Sequence, residues 1–288
     1  MNLSFVREFV RRTQFPPEAA AFTETLVTHL GDALEQPVGQ FLADLDYVAL
    51  TPAVEELAAR FGYSPYSIWL AIFIVAAESA LPLYRNETYF WNTFEDLRYK
   101  AKECMEIHGV WGVFVPIWYP RFYKKDAIVR LGRLQYETRP WYHAEPIVYG
   151  NTVIRHGDPV LSIHIPSDCG PFDREARLAS YREAVEYFGR PLLAICDSWM
   201  LYPPYDVLFA PTSNLADFRR EFTLFRTERL ERCTLWNVIG PAYKQDPSAW
   251  PENSSLQRAL KTYAQNGGSF GTACGILAFD GETILTKQ

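Results

Sequence analysis

The sequence predicts an α+β protein in which an N-terminal helical bundle precedes a mixed sheet flanked by helices. Three observations carry this. Residues 16–107 read as successive helices with explicit start and stop signals. From Ile128 the pattern turns to short alternating runs separated by turn residues, with one strand–helix–strand crossover between Val160 and Ser198. The charge divides near the same place: residues 1–105 hold 8 Lys and Arg against 14 Asp and Glu, and the remainder holds 20 of each. The expected domains are an acidic helical domain, 1–125, and an α+β domain, 126–288.

Pro16 and Pro17 open a helix that carries Phe22, Leu26 and Leu30 on one face and closes at Gly31. Thr51 as N-cap and Pro52 at the first helical position start another, with Val54, Leu57, Ala58 and Phe61 at helical spacing before Gly62. Ser64 and Pro65 repeat the device ahead of an apolar run, and Asn86 precedes a helix of about twenty residues ending near His108. Ile128 to Glu137 reads as one long strand. Tyr149-Gly150-Asn151 and His156-Gly157-Asp158 read as turns, and Val160 to Ile165 as a further strand. A helix from Asp173 to Phe188, a buried strand at Leu192 to Ser198 and a helix capped by Asn214 follow. Ser254 and Gln257 form a capping-box pattern, and the last strand lies near Gly275 to Phe279.

Composition narrows the function. A net charge of −6 without a basic cluster excludes a nucleic-acid binder, since phosphate affinity needs uncompensated Lys and Arg. The uncharged stretch Ile68 to Ala77 is about half the length of a bilayer span of roughly 20 residues, so a buried helix and no membrane are expected. Five scattered cysteines and no apolar leader point to a reducing, cytoplasmic setting. His29, His108, His143, His156 and His164 show no ligand spacing, so no metal is expected. Aromatics make up 15% of the chain, a surplus concentrated in Trp111 to Tyr123 and Trp199 to Tyr205 and read as a pocket wall or domain joint.

The strings LGRLQYE (Leu131 to Glu137), VLSIHIP (Val160 to Pro166), CDSWML (Cys196 to Leu201) and GGSFGTACGIL (Gly267 to Leu277), in this order, resemble a group of bacterial acyltransferase-domain proteins. In that group a helical N-terminal domain precedes a C-terminal domain like the GCN5-related N-acetyltransferase (GNAT) fold, and the resemblance spans essentially the whole chain. It implies a mostly antiparallel sheet splayed between Val160–Ile165 and Leu192–Ser198. The pantetheine arm of acetyl-CoA or a longer acyl-CoA, a co-substrate rather than a resident cofactor, enters between the parted strands. The helix starting near Asp173 then receives the pyrophosphate. The residues implied in donor binding are Ile165, Pro166, Ser167, Gly170, Asp173 and Arg174. Ser167 to Phe172 lacks the glycine-rich Arg/Gln-x-x-Gly-x-Gly/Ala segment of better-studied acetyltransferases, so an acyl-carrier protein or another activated donor stays open.

Acyl transfer to an amine needs a base for the amine and a proton for the leaving thiolate. His164, near the end of its strand, suits the base, with a buried structural histidine as the plainer reading. Cys196 and Ser198 share one face of the following strand and Asp197 takes the other. If the strands splay, Ser198 or Cys196 comes near His164, either as a relay for direct transfer or as a nucleophile forming an acyl-enzyme. Direct transfer is favoured, because a nucleophile needs a third, orienting group. Tyr263 is the candidate acid for the thiolate, and Trp199, Tyr202 and Tyr205 are candidate walls of the substrate pocket. The expected activity is acyl transfer from a CoA-type thioester to an amine or hydroxyl of a small-molecule acceptor, which the acidic helical domain would favour if cationic. A non-catalytic binding module and a Ser/Cys–His hydrolase are the other readings, and a homodimer stays open.

Overall fold

The computed structural model describes residues 2–167, 170–230 and 235–286, so Asp168, Cys169 and Cys233 lie outside the described residues. Two compact units are present: residues 2–130 with Pro166 and Ser167, and residues 131–165 with the rest of the described chain. The first contains α1 (Leu3–Arg12), α2 (Pro17–Leu30), α3 (Glu35–Asp44), α4 (Tyr47–Phe61), α5 (Pro65–Ala80), α6 (Glu87–Phe94) and α7 (Asp96–His108). Helix α5 is its centre. Ile68, Leu70, Ile72, Phe73 and Ile74 are fully buried, and the helix packs against α1, α2, α3, α4 and α7. By length and composition alone Pro65–Leu83 is long and apolar enough to cross a membrane. Its enclosure by those neighbours identifies it as the core helix of the bundle.

The start of α4 differs from expectation. Asp46 caps it through Val48 and Ala49, so Pro52 lies inside the helix. Proline there removes the bond to the Val48 carbonyl, a loss that water can offset because Val48 is 62% exposed. The single helix expected after Asn86 is interrupted at Glu95, whose carboxylate pairs with Arg130 and Arg98. Helices α1 and α3 had no sequence expectation; α3 contains Pro37 and Gly39, which hide its period. Trp118, Tyr119, Phe122 and Tyr123, read above as a pocket wall, pack on or within the core of this unit.

The remaining elements are β1 (Ile128–Leu131), β2 (Leu134–Pro140), β3 (Ile147–Tyr149), β4 (Thr152–Ile154), β5 (Pro159–His164), α8 (Arg174–Phe188), β6 (Leu192–Ser198), α9 (Asn214–Arg220), β7 (Thr223–Arg229), α10 (Trp236–Ile239), α11 (Ser255–Gln265) and β8 (Gly271–Phe279). Six strands form one sheet in the order β1-β2-β5-β6-β8-β7, while β3 and β4 make a separate hairpin. The long strand expected over Ile128 to Glu137 is in fact a hairpin. Gly132, at φ +57°, turns the chain in two residues, a conformation open to glycine at little strain. Strand β7 escaped the sequence reading because it is an edge strand, TLFRTER, whose polar side chains mask the strand period.

Strands β5 and β6 run parallel, joined by the α8 crossover, and the β2–β5, β6–β8 and β7–β8 ladders are antiparallel. The parallel pairing consists of Leu161 with Ala194 and Ser162 with Ile195. Beyond Ser162 and Ile195 both strands continue, to His164 and Ser198, without pairing to each other. The sheet is therefore open at its centre, at the carboxyl ends of its two parallel strands. Helix α8 covers one face: Tyr136 donates to Ser180, which donates to the Leu131 carbonyl, and Tyr181 packs on Phe279. The hairpin of β3 and β4 covers part of the other, where Ile147 packs with Trp141, Val160, Ile195, Cys274 and Ile276.

Candidate functional site

Register decides which side chains meet at the opening. Gln135 lies opposite His164, and Glu137 opposite Ser162, so Gln135, Glu137, Ser162 and His164 share the face away from α8. Ser162 also pairs with Ile195, which places Asp197 on that face. The antiparallel ladders add Thr272 and Cys274 from β8 and Arg226 and Glu228 from β7. Polar groups thus gather around the carboxyl ends of β5 and β6, and apolar packing occupies the other ends.

Glu137 and His164 are the centre of this group. The Glu137 carboxylate is 2.8 Å from His164 Nε2, with side-chain exposures of 8% and 27%. Arg139 stands 3.9 Å from the same carboxylate oxygen. A carboxylate at Nε2 accepts its proton and fixes the tautomer and orientation of the ring, as positioning of a general base requires. Asp197 sits across the opening. Burial raises its pKa above the ordinary carboxylate range and Glu228 adds to this, while a hydrogen bond from Thr272 and the fields of Arg139 and His164 oppose it.

Cys196 and Ser198 do not join His164. The pleat turns both toward the α8 face, opposite His164, so the pairing expected from the sequence is overturned by strand register. Cys196 is fully buried, and burial holds its thiol well above the ordinary range; Cys274 is pushed up to about 12 by the same cause. Neither is a nucleophile at neutral pH. Ser198 Oγ accepts the Met200 N–H and so caps the following turn. Replacing Cys196 with alanine is expected to leave kcat unchanged and to lower stability by about 1 kcal/mol. Steady-state kinetics, with intact-protein mass spectrometry for a missing acyl adduct, checks both points.

The aromatic candidates are also placed elsewhere than expected. Tyr202 and Tyr205 are buried, with Trp199 packed beside them, in a local core that includes Phe209 and Trp250. They are packing residues because the turns around Pro203 and Pro204 fold them inward rather than across the opening. Tyr263 belongs to the same cluster and donates its hydroxyl to the Ser269 carbonyl at 2.7 Å. It lines a shallow pocket with Val207, Leu208, Arg258, Thr262 and Asn266, none of which belongs to the polar group around His164. The role expected for it as the acid for the thiolate therefore has no support in this placement.

The residues implied in donor binding divide between the units: Pro166 and Ser167 group with the helices, and Ile165, Gly170, Asp173 and Arg174 with the sheet. Helix α8 begins as expected. Asp173 caps it by accepting the Ala176 N–H at 2.9 Å, and the N–H groups of Arg174 and Glu175 point out of the helix end. A buried network fixes this start: Arg177 Nη1 donates to the Phe172 carbonyl at 2.6 Å, while its other nitrogens bind Glu221 and Asp217.

Residues 4–124 match an N-acyltransferase N-terminal domain, and residues 128–277 match a GNAT-like C-terminal domain. The chain belongs to the family with the GNAT-like C-terminal domain. An acyltransferase variant solved with octanoyl-CoA aligns with a TM-score of 0.72 at 19% identity, over 95% of this chain and 87% of that one. An acyltransferase in complex with decanoyl-CoA and teicoplanin gives 0.69 at 20% identity over the same shares. A further acyltransferase bound to decanoyl-CoA gives 0.62 at 20% identity, over 95% of this chain and 99% of that one. At such identities these likenesses establish the GNAT-like fold. No curated protein matches the chain. The sequence led to an expectation that β5 and β6 part beside His164, with Ser198 or Cys196 as its partner; in the structure its partner is Glu137. Glu137, Asp197 and Gln135 were not among the sequence candidates, although alternation in LQYET places Gln135 and Glu137 on one face.

Proposed function

We propose that this chain transfers an acyl group from an acyl-CoA to an amine or hydroxyl of a small-molecule acceptor, by direct attack and without an acyl-enzyme. The opening between β5 and β6 beside the Glu137–His164 pair carries this reading. An extended pantetheine arm can occupy the place where strand pairing is missing, and the free N–H groups at the start of α8 suit a pyrophosphate. The solved relatives with octanoyl-CoA and decanoyl-CoA support a donor of that class, and the relative with teicoplanin supports a small-molecule acceptor.

In the reaction His164 takes the proton of the attacking amine or hydroxyl as its oxygen or nitrogen bonds to the thioester carbon. Glu137 stabilises the imidazolium that results. Collapse of the tetrahedral species breaks the carbon–sulfur bond, and the thiolate takes up the proton that His164 removed, which leaves free CoA and a neutral imidazole. With Cys196 and Ser198 on the other face, direct attack needs no further protein nucleophile.

Thermal titration tests the donor. Octanoyl-CoA and decanoyl-CoA at about 100 times their Kd are expected to stabilise the protein by roughly 2.7 kcal/mol, read as a rise in Tm. Thiol release is then expected to accelerate when an amine-bearing acceptor is added. If no CoA thioester raises Tm, the reading fails.

A further inference from the structure

Gln135 is 1% exposed, and its carboxamide nitrogen is buried without a hydrogen-bond partner. A buried N–H of this kind costs about 1–3 kcal/mol of desolvation with no return from the folded protein, and each one calls for an explanation. Its position supplies one. Gln135 is the residue directly opposite His164 in the β2–β5 ladder and faces the same side of the sheet. Directly paired residues hold their Cβ atoms roughly 5 Å apart, so the carboxamide and the imidazole serve one small volume beside the opening.

The reaction proposed above always brings one hydrogen-bond acceptor into that volume. For His164 to take the proton of the attacking atom, the thioester carbon must lie within bonding range of that atom, and its carbonyl oxygen is one bond further. Acceptor molecules differ in where their other oxygens lie, but the thioester oxygen is obligatory. That oxygen also gains negative charge as attack proceeds, and a donor waiting in a water-poor site stabilises it most.

We propose that Gln135 is a catalytic residue whose carboxamide N–H binds the thioester carbonyl oxygen of the acyl donor and stabilises the oxyanion formed on attack. The assignment rests on the acyl-CoA reading of the opening. It explains why an isolated amide is kept in an otherwise satisfied strand pair: the ligand completes its bonding.

The test compares wild type with Gln135→Met, which keeps length and volume and removes the donor. The expected result is a kcat lower by about 10²-fold, a KM for acyl-CoA raised in step with the lost carbonyl contact, and a Tm equal to or above that of wild type, because an unsatisfied group has been removed. Two non-reacting probes sharpen it. A CoA analogue with CH2 in place of the thioester sulfur keeps the carbonyl and should bind Gln135→Met more weakly than wild type, whereas an alkyl-CoA thioether without a carbonyl should bind both equally. Wild-type turnover in Gln135→Met, or equal loss of affinity for both probes, overturns the role of Gln135 and leaves the acyltransferase reading standing. Absence of acyl-CoA binding by the wild-type protein removes both.

Discussion

Replacement of His164 by alanine is expected to lower kcat for acyl transfer by about 10²- to 10⁴-fold, the range that a positioned general base contributes. The KM for acyl-CoA should be little affected, because the imidazole acts on the acceptor's proton rather than on the donor. His164 Nε2 is held 2.8 Å from a largely buried carboxylate, so its ring is oriented before substrate arrives. Glu137→Gln is expected to give an intermediate loss, since an amide preserves the shape but not the charge that stabilises imidazolium. A purely structural histidine would give a different pattern, with lowered Tm and weaker binding of both substrates. Added imidazole separates the cases further. It should restore part of the turnover of His164→Ala, because the space vacated adjoins the reacting atoms, and a structural defect would not respond. Unchanged turnover in His164→Ala would exclude the role.

Legibility in the sequence followed the range of the interaction. The caps of α2, α5 and α11 were readable because Pro17, Ser64 and the Ser254–Gln257 box act within one turn. The start of α4 was misplaced for the same local reason: Pro52 resembles a first-turn proline, and only the cap bonds of Asp46 show that the helix begins earlier. The crossover and the opening followed from strand order and from the family resemblance. Which face His164 shares did not follow. That depends on Ser162 pairing with Ile195 across a connection that includes all of α8, and a slip of one residue would have put Cys196 rather than Asp197 beside it. The partnership of Glu137 with His164 was hidden likewise, since it requires the β2–β5 register.

The largest stability effect is expected at Arg177. Its side chain is fully buried, and it binds Glu221, Asp217 and the Phe172 carbonyl, while Tyr181 donates to the same Glu221. Arg177→Met should destabilise the protein by about 3–5 kcal/mol, because Glu221, with 3% side-chain exposure, keeps a buried carboxylate without its cation. That is a fifth or more of the stability of a typical domain at about 5–15 kcal/mol, and urea denaturation would register it as a large fall in midpoint. A second substitution, Glu221→Gln, should recover much of the loss at neutral pH, because it removes the stranded charge while a polar partner for Tyr181 remains. If the double variant is as unstable as the single one, the penalty arises from the lost stacking of the Arg177 guanidinium over Phe172 and Phe218 rather than from the stranded carboxylate. The same network ties the Phe172 carbonyl to α8, one residue before its cap, so a destabilised Arg177→Met that still folds should also bind acyl-CoA less tightly through a loosened helix start.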